Sequence, residues 1–263
     1  MPLIPRHYWV AACFALSLLG LASTSHAAVS ALTSRQCQLM EQKKTISPDN
    51  PVPCRRLTQV SFSYIGFDGQ QHDNGLIIVM DALTEQVQAI FDELLERRFP
   101  LQQARPMEEF TGDDEASMQA NNSSSFNGRA MTGGSAWSKH AYGAAIDINP
   151  LQNPYLSHGT YLPDNAGSYL SRTPQRPGMA ESAIDIFFRH GFLVWGGNWY
   201  EPVDYQHFEI GSRDFIQQLL ALPLPQARAV FKRYADQYSA CLKRNKIADN
   251  IARRDACAHN NRR

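Results

Sequence analysis

The sequence predicts an α+β fold, in which a small antiparallel sheet packs against helices that flank one side of it. Three observations predict this class. Residues 60–64 alternate apolar side chains with serines, which is the period of a half-buried strand. After Asp81, apolar residues recur at three- and four-residue spacing, which is the period of an amphipathic helix. Two further apolar runs near 192–195 and 205–210 are predicted to add strands.

The first two strands are expected to form a hairpin. The second strand is predicted at 76–80, where five apolar residues follow one another. Between the two strands lie two turn signals, Asp-Gly at 68–69 and Asn-Gly at 74–75, which indicate a loop of some length.

Three helices are predicted in the rest of the chain. Asp81 is expected to cap the first, and Pro100 marks its end. A second helix is predicted at 179–190, with Gly191 terminating it. A third is predicted at 225–242, followed by a basic tail. The polar stretch 111–136 between them is long for a connection, which is typical of a functional loop.

Composition limits the class of protein. The chain has 263 residues, enough for one sizeable domain, and 43% of them are hydrophobic, as in globular proteins. Lysine plus arginine and aspartate plus glutamate each number 25. This balance argues against nucleic acid as the partner.

Residues 1–27 are predicted to be an export signal. Arg6 and His7 form a basic start, an apolar run covers 8–22, and the small residues of 25–27 suit a signal peptidase. A retained membrane anchor is the alternative, but the run of about 15 residues is short of the ~20 that span a bilayer. Lipidation at Cys13 is disfavoured, because the apolar run continues well past it. We therefore expect an exported protein, periplasmic or secreted, without stable membrane insertion after cleavage.

Cleavage would leave an even number of cysteines, which suggests disulfides in an exported chain. The local pairs, Cys37 with Cys54 and Cys241 with Cys257, lie one near each end of the chain. Each would close a loop of about 15 residues, worth about 3 kcal/mol in the chain-entropy account.

The chemistry is concentrated in two short segments. His140 and Asp147 stand seven residues apart, which is too far for one metal ion on either a straight helix or an extended strand. A bend at Gly143 would bring them together. His207 in the second segment supplies a third ligand, and three protein ligands leave one zinc position open for water, as in catalytic sites.

Two further residues would complete such a site. Asp204, three residues before a ligand, is predicted to be the base that activates the water at the open position. Arg129 is predicted to hold a substrate carboxylate or the developing oxyanion, with a plain surface ion pair as the alternative. Glu209 shares a strand face with His207 and either orients that ligand or is only a charge at the strand end.

These segments resemble the M15 peptidases, which are zinc D-alanyl-D-alanine carboxypeptidases and related peptidoglycan endopeptidases. The family pattern S-x-H-x-x-G-x-A-x-D, then D/E-x-x-H, is matched at Ser138, His140, Gly143, Ala145, Asp147, Asp204 and His207. Further resemblance lies in the loop that leads to Arg129 and in the Trp-Gly-Gly-Asn-Trp loop at 195–199. Gly128 and Ala144 depart from the residues that relatives often carry. Tyr142, Trp195 and Trp199 are candidates to line the cleft, although aromatic residues in such a fold are as often core.

The resemblance covers about 58–215, the predicted zinc peptidase domain. An irregular disulfide-bonded arm at 28–57 precedes it, and a C-terminal helix with a basic tail at 216–263 follows. The resemblance implies one zinc ion at the edge of the sheet and peptidoglycan stem peptides as substrate. It leaves open a D,D-carboxypeptidase or an endopeptidase, for example one that cuts between L-Ala and D-Glu, and the H-A-Y-G sequence with an aspartate base favours the latter. The alternative function is a non-catalytic zinc-containing module that binds the cell wall.

Overall fold

A computed structural model describes residues 28–131 and 133–261, and its α+β class confirms the prediction. The predicted signal segment at 1–27 lies outside the described residues. The helices are α1 Ser34–Gln42, α2 Thr84–Glu96, α3 Asp114–Gln119, α4 Ile184–Arg189, α5 Arg213–Ala221, α6 Leu224–Arg244 and α7 Asn250–Asn261. The strands are β1 Ala28–Ala31, β2 Leu57–Ile65, β3 Gln71–Met80, β4 Gln103–Ala104, β5 Asn122–Ser123, β6 Ala145–Asp147, β7 Tyr155–Ser157, β8 Thr160–Leu162, β9 Val194–Trp195, β10 Val203–Asp204 and β11 His207–Glu209.

The strands form several small sheets. Within the described residues, three antiparallel sheets have the orders β1-β2-β3, β10-β7-β8 and β6-β11-β9, and β4 pairs with β5 in parallel. The β2–β3 hairpin carries α2 on its apolar face, where the ring of Phe62 stacks on that of Phe91 with centroids 3.6 Å apart. The sheet β6-β11-β9 lies further along the chain and carries two of the predicted zinc ligands.

Two local predictions around the hairpin are wrong. The Asn-Gly pair at 74–75 lies inside β3, and the turn is formed by residues 66–70. Gly75 is needed there for packing, because a Cβ atom would lie 2.5 Å from the Phe62 ring. Asp81 does not cap α2 with its side chain, since it lies in a 3-10 turn before the helix and pairs with Arg56 at 2.7 Å.

The two end segments hold more regular structure than was predicted. The arm at 28–57 contains β1 and α1, and Thr33 forms a capping box at the start of α1. The predicted basic tail contains the helix α7. Disulfides join Cys37 to Cys54 and Cys241 to Cys257, the same pairs that the spacing predicts.

Both end segments contribute to a shared hydrophobic core. From the N-terminal arm, Met40 and Val52 are buried in it, and from α6 Phe231 and Tyr238 are buried in it. Among the described residues, no helix combines the length and apolarity that crossing a membrane would require.

Candidate metal centre and cleft

The three predicted ligands converge on one point. Candidate ligand atoms of His140, Asp147 and His207 all lie within 4.8 Å of one another. Nε2 of His140 is 3.1 Å from Nδ1 of His207. Oδ2 of Asp147 lies 3.2 Å from Nε2 of His140, and Oδ1 of Asp147 lies 2.9 Å from Nδ1 of His207. A tight bend brings His140 and Asp147 together across 7 residues, and strand pairing brings Asp147 and His207 together across 60 residues.

The bend between His140 and Asp147 lies at Gly143, as predicted. His140 belongs to a 3-10 turn that Ser138 caps, with Oγ of Ser138 accepting from the His140 amide at 3.2 Å. Gly143 ends the turn with φ of 61°, and a Cβ atom there would lie 2.6 Å from the backbone nitrogen of Met80. Only glycine fits this combination of positive φ and close approach.

Strand pairing brings in the third ligand. In the antiparallel ladder of β6 and β11, His207 stands directly opposite Asp147. Their side chains therefore project from the same face of the sheet, where cross-strand neighbours are in contact. Both lie at the end of the ladder, which is the predicted position at the edge of the sheet.

Hydrogen bonds to the outer ring nitrogens orient both histidines. Nδ1 of His140 lies 2.6 Å from the carbonyl oxygen of Ser125, which can only accept, so Nδ1 carries the proton. Nε2 of His207 lies 3.0 Å from Oε2 of Glu209 and donates to it. The inner nitrogens, Nε2 of His140 and Nδ1 of His207, face each other and can bind a metal that takes the place of a proton there, as is usual for ligating histidines.

Glu209 links His207 to a lysine. Its second oxygen accepts from Nζ of Lys139 at 2.7 Å, and the same Nζ donates to the Gly211 carbonyl at 2.7 Å. Burial raises the pKa of Glu209, but the contacts with His207 and Lys139 outweigh it and hold the pKa at about 2. Glu209 is therefore ionised and fixed, which favours its predicted orienting role over a free charge at the strand end.

The electrostatics of the ligand group favour a bound cation. Burial lowers the pKa of His207, but Asp147 and Glu209 outweigh it and raise the pKa to about 10. Burial raises the pKa of Asp147, yet the facing charges of His140 and His207 bring it well below its usual range. The carboxylates of Asp147 and Glu209 thus stabilise a positive charge at the imidazoles of His140 and His207. Two nitrogens and an oxygen at this spacing are a donor set that fits zinc.

Asp204 lies in the same cleft and is half-buried. Burial, and then the charge of Asp147, raise its pKa above the usual range for an aspartate. Its Oδ1 atom is buried and has no hydrogen-bond partner among the residues that the structure describes. The Gly-Gly loop packs closely on it, because a Cβ atom on Gly196 would lie 2.5 Å from the Asp204 carbonyl oxygen.

Arg129 also lines the cleft and is held by an ion pair. Its guanidinium contacts one carboxylate oxygen of Asp114, and the other oxygen accepts from Nδ2 of Asn127 at 2.8 Å. About a third of the Arg129 side chain is exposed. Arg129 thus lies in the cleft and forms an ion pair, and its predicted contact with a substrate carboxylate or oxyanion stays a prediction.

The cleft has a volume of about 520 Å³. It is lined by the three predicted ligands and by Asp114, Glu115, Ser117, Met118, Asn122, Ser124, Arg129, Met131, Ser138, Lys139, Pro150, Tyr155, Leu162, Trp199, Pro202, Asp204, Gln206, Glu209 and Arg213. Several of these residues come from the polar stretch 111–136, which contains α3 and β5.

Of the three aromatic candidates, one lines the cleft. The ring of Trp199 lies 5.3 Å from that of His207. Tyr142 and Trp195 are both buried in the core, which is the alternative that the sequence left open for them. Trp195 is fixed there because its Nε1 donates to the Tyr205 carbonyl at 2.8 Å and its ring packs on Phe208.

Two contributors were missed by sequence reasoning. The Ser125 carbonyl is a backbone group, so its side-chain type gives no signal of its role. Arg213, the first residue of α5, lies outside the matched motif and reaches the cleft through tertiary contacts. The nearness of Arg213 to His207 in sequence is the only signal that could have suggested it.

The comparison with protein families gives one match. The model of a peptidase M15 family described as D-alanyl-D-alanine carboxypeptidase matches residues 132–210. This range holds all three predicted ligands and Asp204, and it is less than half of the chain. The resemblance to M15 peptidases is confirmed by this match. No curated protein and no solved structure matches the chain.

Proposed function

We propose that the protein is a zinc-dependent hydrolase of peptide bonds in peptidoglycan stem peptides, because residues 132–210 match the model of an M15 peptidase family. One zinc ion per chain would be held by Nε2 of His140, Nδ1 of His207 and the carboxylate of Asp147. The observation that carries the proposal is the convergence of these three donors beside an unpaired buried carboxylate oxygen of Asp204.

Zinc, when bound at such a site, lowers the pKa of a water and polarises the carbonyl to be attacked. The protein's own groups do the rest. Oδ1 of Asp204 accepts a proton from the attacking water and delivers it to the amine that leaves. A raised pKa suits this role, since a base works best when its pKa lies near the working pH. A metal bound nearby would add a positive charge and lower that pKa.

Arg129 is the proposed electrostatic partner of the reacting carbonyl. The ion pair with Asp114 keeps the guanidinium in the cleft, and the carboxylate offsets the positive charge of the guanidinium. A guanidinium in this state still has donors for the oxygen on which negative charge develops. Trp199 and Ser138 would line the path of the peptide near the ligands.

Peptidoglycan as the substrate rests on the family match and its printed description. We place the protein outside the cytoplasm, in the periplasm or secreted, because its two disulfides suit an oxidising compartment. Two cuts fit the proposal. A D,D-carboxypeptidase would remove a terminal D-alanine, and an endopeptidase would cut within the stem.

The test is mass spectrometry of defined muropeptides after incubation with the purified protein, together with its metal content. We expect a loss of D-alanine or a cut within the stem, abolished by a strong chelator and restored by zinc. A protein that binds zinc and releases nothing from any muropeptide would overturn the proposal and favour the non-catalytic wall-binding module. A protein without zinc whose activity survives chelation would overturn the metal assignment.

A further inference from the structure

Arg213 is a cleft residue that the proposed reaction does not use. It begins α5, whose N-terminus Ser212 caps by accepting from the Phe215 amide at 3.1 Å. Its Nη2 donates to the Trp137 carbonyl at 2.8 Å and lies 3.1 Å from the sulfur of Met131. These contacts fix the guanidinium at the wall of the cleft formed by the segment that follows Arg129.

The cations of the cleft differ in their partners. Lys139 is paired with Glu209 at 2.7 Å, and Arg129 is paired with Asp114. Among the described residues, no carboxylate lies within ion-pair distance of Arg213, whose contacts are to a neutral carbonyl and a sulfur. Its Nε atom is buried and has no acceptor in the described part of the chain.

An arginine in this state favours an anion that comes from outside the chain. A partly buried guanidinium without a counter-charge keeps its full positive charge and has donors left over, and guanidinium groups bind carboxylates through parallel hydrogen bonds. Other lining residues on the β7–β8–β10 side, Tyr155, Leu162 and Pro202, carry no charge. Among the cleft residues that the structure describes, Arg213 is therefore the cation without a carboxylate partner, and an anionic group of a substrate gains most there.

We propose that Arg213 binds a carboxylate of the peptide substrate and so selects stem peptides that carry a free acid beside the cleaved bond. The inference rests on the proposed function. Two carboxylates of a stem peptide have this chemistry: the α-carboxylate of D-glutamate and the C-terminal carboxylate. Recognition of the first would fit an endopeptidase, and recognition of the second a carboxypeptidase.

The experiment compares three synthetic pentapeptides: the free acid, one amidated at the D-glutamate α-carboxyl, and one amidated at the C-terminus. We measure kcat/KM for the zinc-loaded protein and, by calorimetry, the affinity of the metal-free protein for the same peptides. The wild type should prefer the free acid over one of the amides by about 10- to 100-fold, the usual weight of a charge-assisted hydrogen bond. Arg213→Gln should bring that preference close to one, and Arg213→Lys should keep part of it.

The controls separate recognition from structure. Arg98 is exposed and donates to the Gly69 carbonyl away from the cleft, so Arg98→Gln should leave the preference unchanged. If Arg213→Gln lowers kcat/KM equally for all three peptides, Arg213 only supports the segment around Trp137 and the proposal is overturned. It is also overturned if the wild type does not distinguish acid from amide.

Failure of this inference is distinguishable from failure of the proposed function. If no peptide is cut, the calorimetric preference of the metal-free protein still tests Arg213. If the peptides are cut without regard to amidation, the hydrolase proposal stands and the carboxylate subsite falls.

Discussion

The contact between Glu209 and His207 gives the sharpest prediction about the metal centre. Oε2 of Glu209 accepts from Nε2 of His207 at 3.0 Å, and its other oxygen accepts from Lys139 at 2.7 Å. The carboxylate fixes the ring so that Nδ1 faces the other two ligands. Removing such a partner usually weakens metal affinity by 10- to 100-fold.

Two substitutions of Glu209 separate the contribution of its negative charge to zinc affinity from the contribution of its hydrogen bond to His207. Glu209→Gln keeps an oxygen that accepts from Nε2 but removes the negative charge, so we expect a loss of about 10-fold in zinc affinity. Glu209→Ala also leaves Nε2 of His207 without its acceptor and Lys139 without its carboxylate, so we expect about 100-fold. These losses correspond to about 1.4 and 2.8 kcal/mol of binding free energy.

The assay is a competition titration of the metal-free protein against a coloured zinc chelator at fixed pH. Glu201→Gln is the matched control, because Glu201 is an exposed carboxylate near the cleft that bonds Ser157 and no ligand. Thermal unfolding of the metal-free variants checks that each one is folded. Wild-type affinity in Glu209→Ala would refute the reasoning, and so would an equal loss in the Glu201 control.

Three other outcomes are expected. Asp204→Asn should keep zinc and lower kcat by about 10²–10⁴-fold, since it removes a base and no ligand; full activity would show that the base is elsewhere. Replacing Cys241 and Cys257 by serine should lower the free energy of unfolding by about 3 kcal/mol in a urea titration, because the disulfide closes a loop of 16 residues, with zinc content unchanged. Burial raises the pKa of Asp185, but the neighbouring Arg189 and Arg97 have a larger effect and lower the pKa below its usual value. Its stabilising contribution is therefore complete above about pH 3.9 and is lost as the pH falls further, so Asp185→Asn should flatten the acid limb of the stability curve.

The bend that brings two of the three predicted ligands together could be predicted from sequence because it is local. His140, Gly143 and Asp147 form one short turn whose geometry follows from the need to bring two ligands together. Glu209 followed from the alternation of a strand, which puts it on the same side as His207. These features depend on spacing alone, and spacing is visible in the sequence.

Other features depend on contacts between distant segments. Arg213 reaches the cleft only because the start of α5 packs against Trp137. The Asn-Gly signal at 74–75 is overridden because Gly75 makes room for the Phe62 ring. Tyr142 and Trp195 are candidates for the cleft by their place in the motif, yet both rings are buried in the core. Contacts between distant segments decide such cases, and a single sequence does not show which segments pack together.

The pairing of His207 with Asp147 across two strands has a consequence for assembly of the fold. A slip of one residue between β6 and β11 would turn one of the two side chains to the opposite face, so a metal ion accepts only one alignment of these strands. Binding energy for the ion is then also energy against misalignment of segments that lie 60 residues apart. The ion would therefore select the correct strand alignment, in addition to the pairing of β11 with β6 and β9 and the burial of Ile146 and Phe208 in the core.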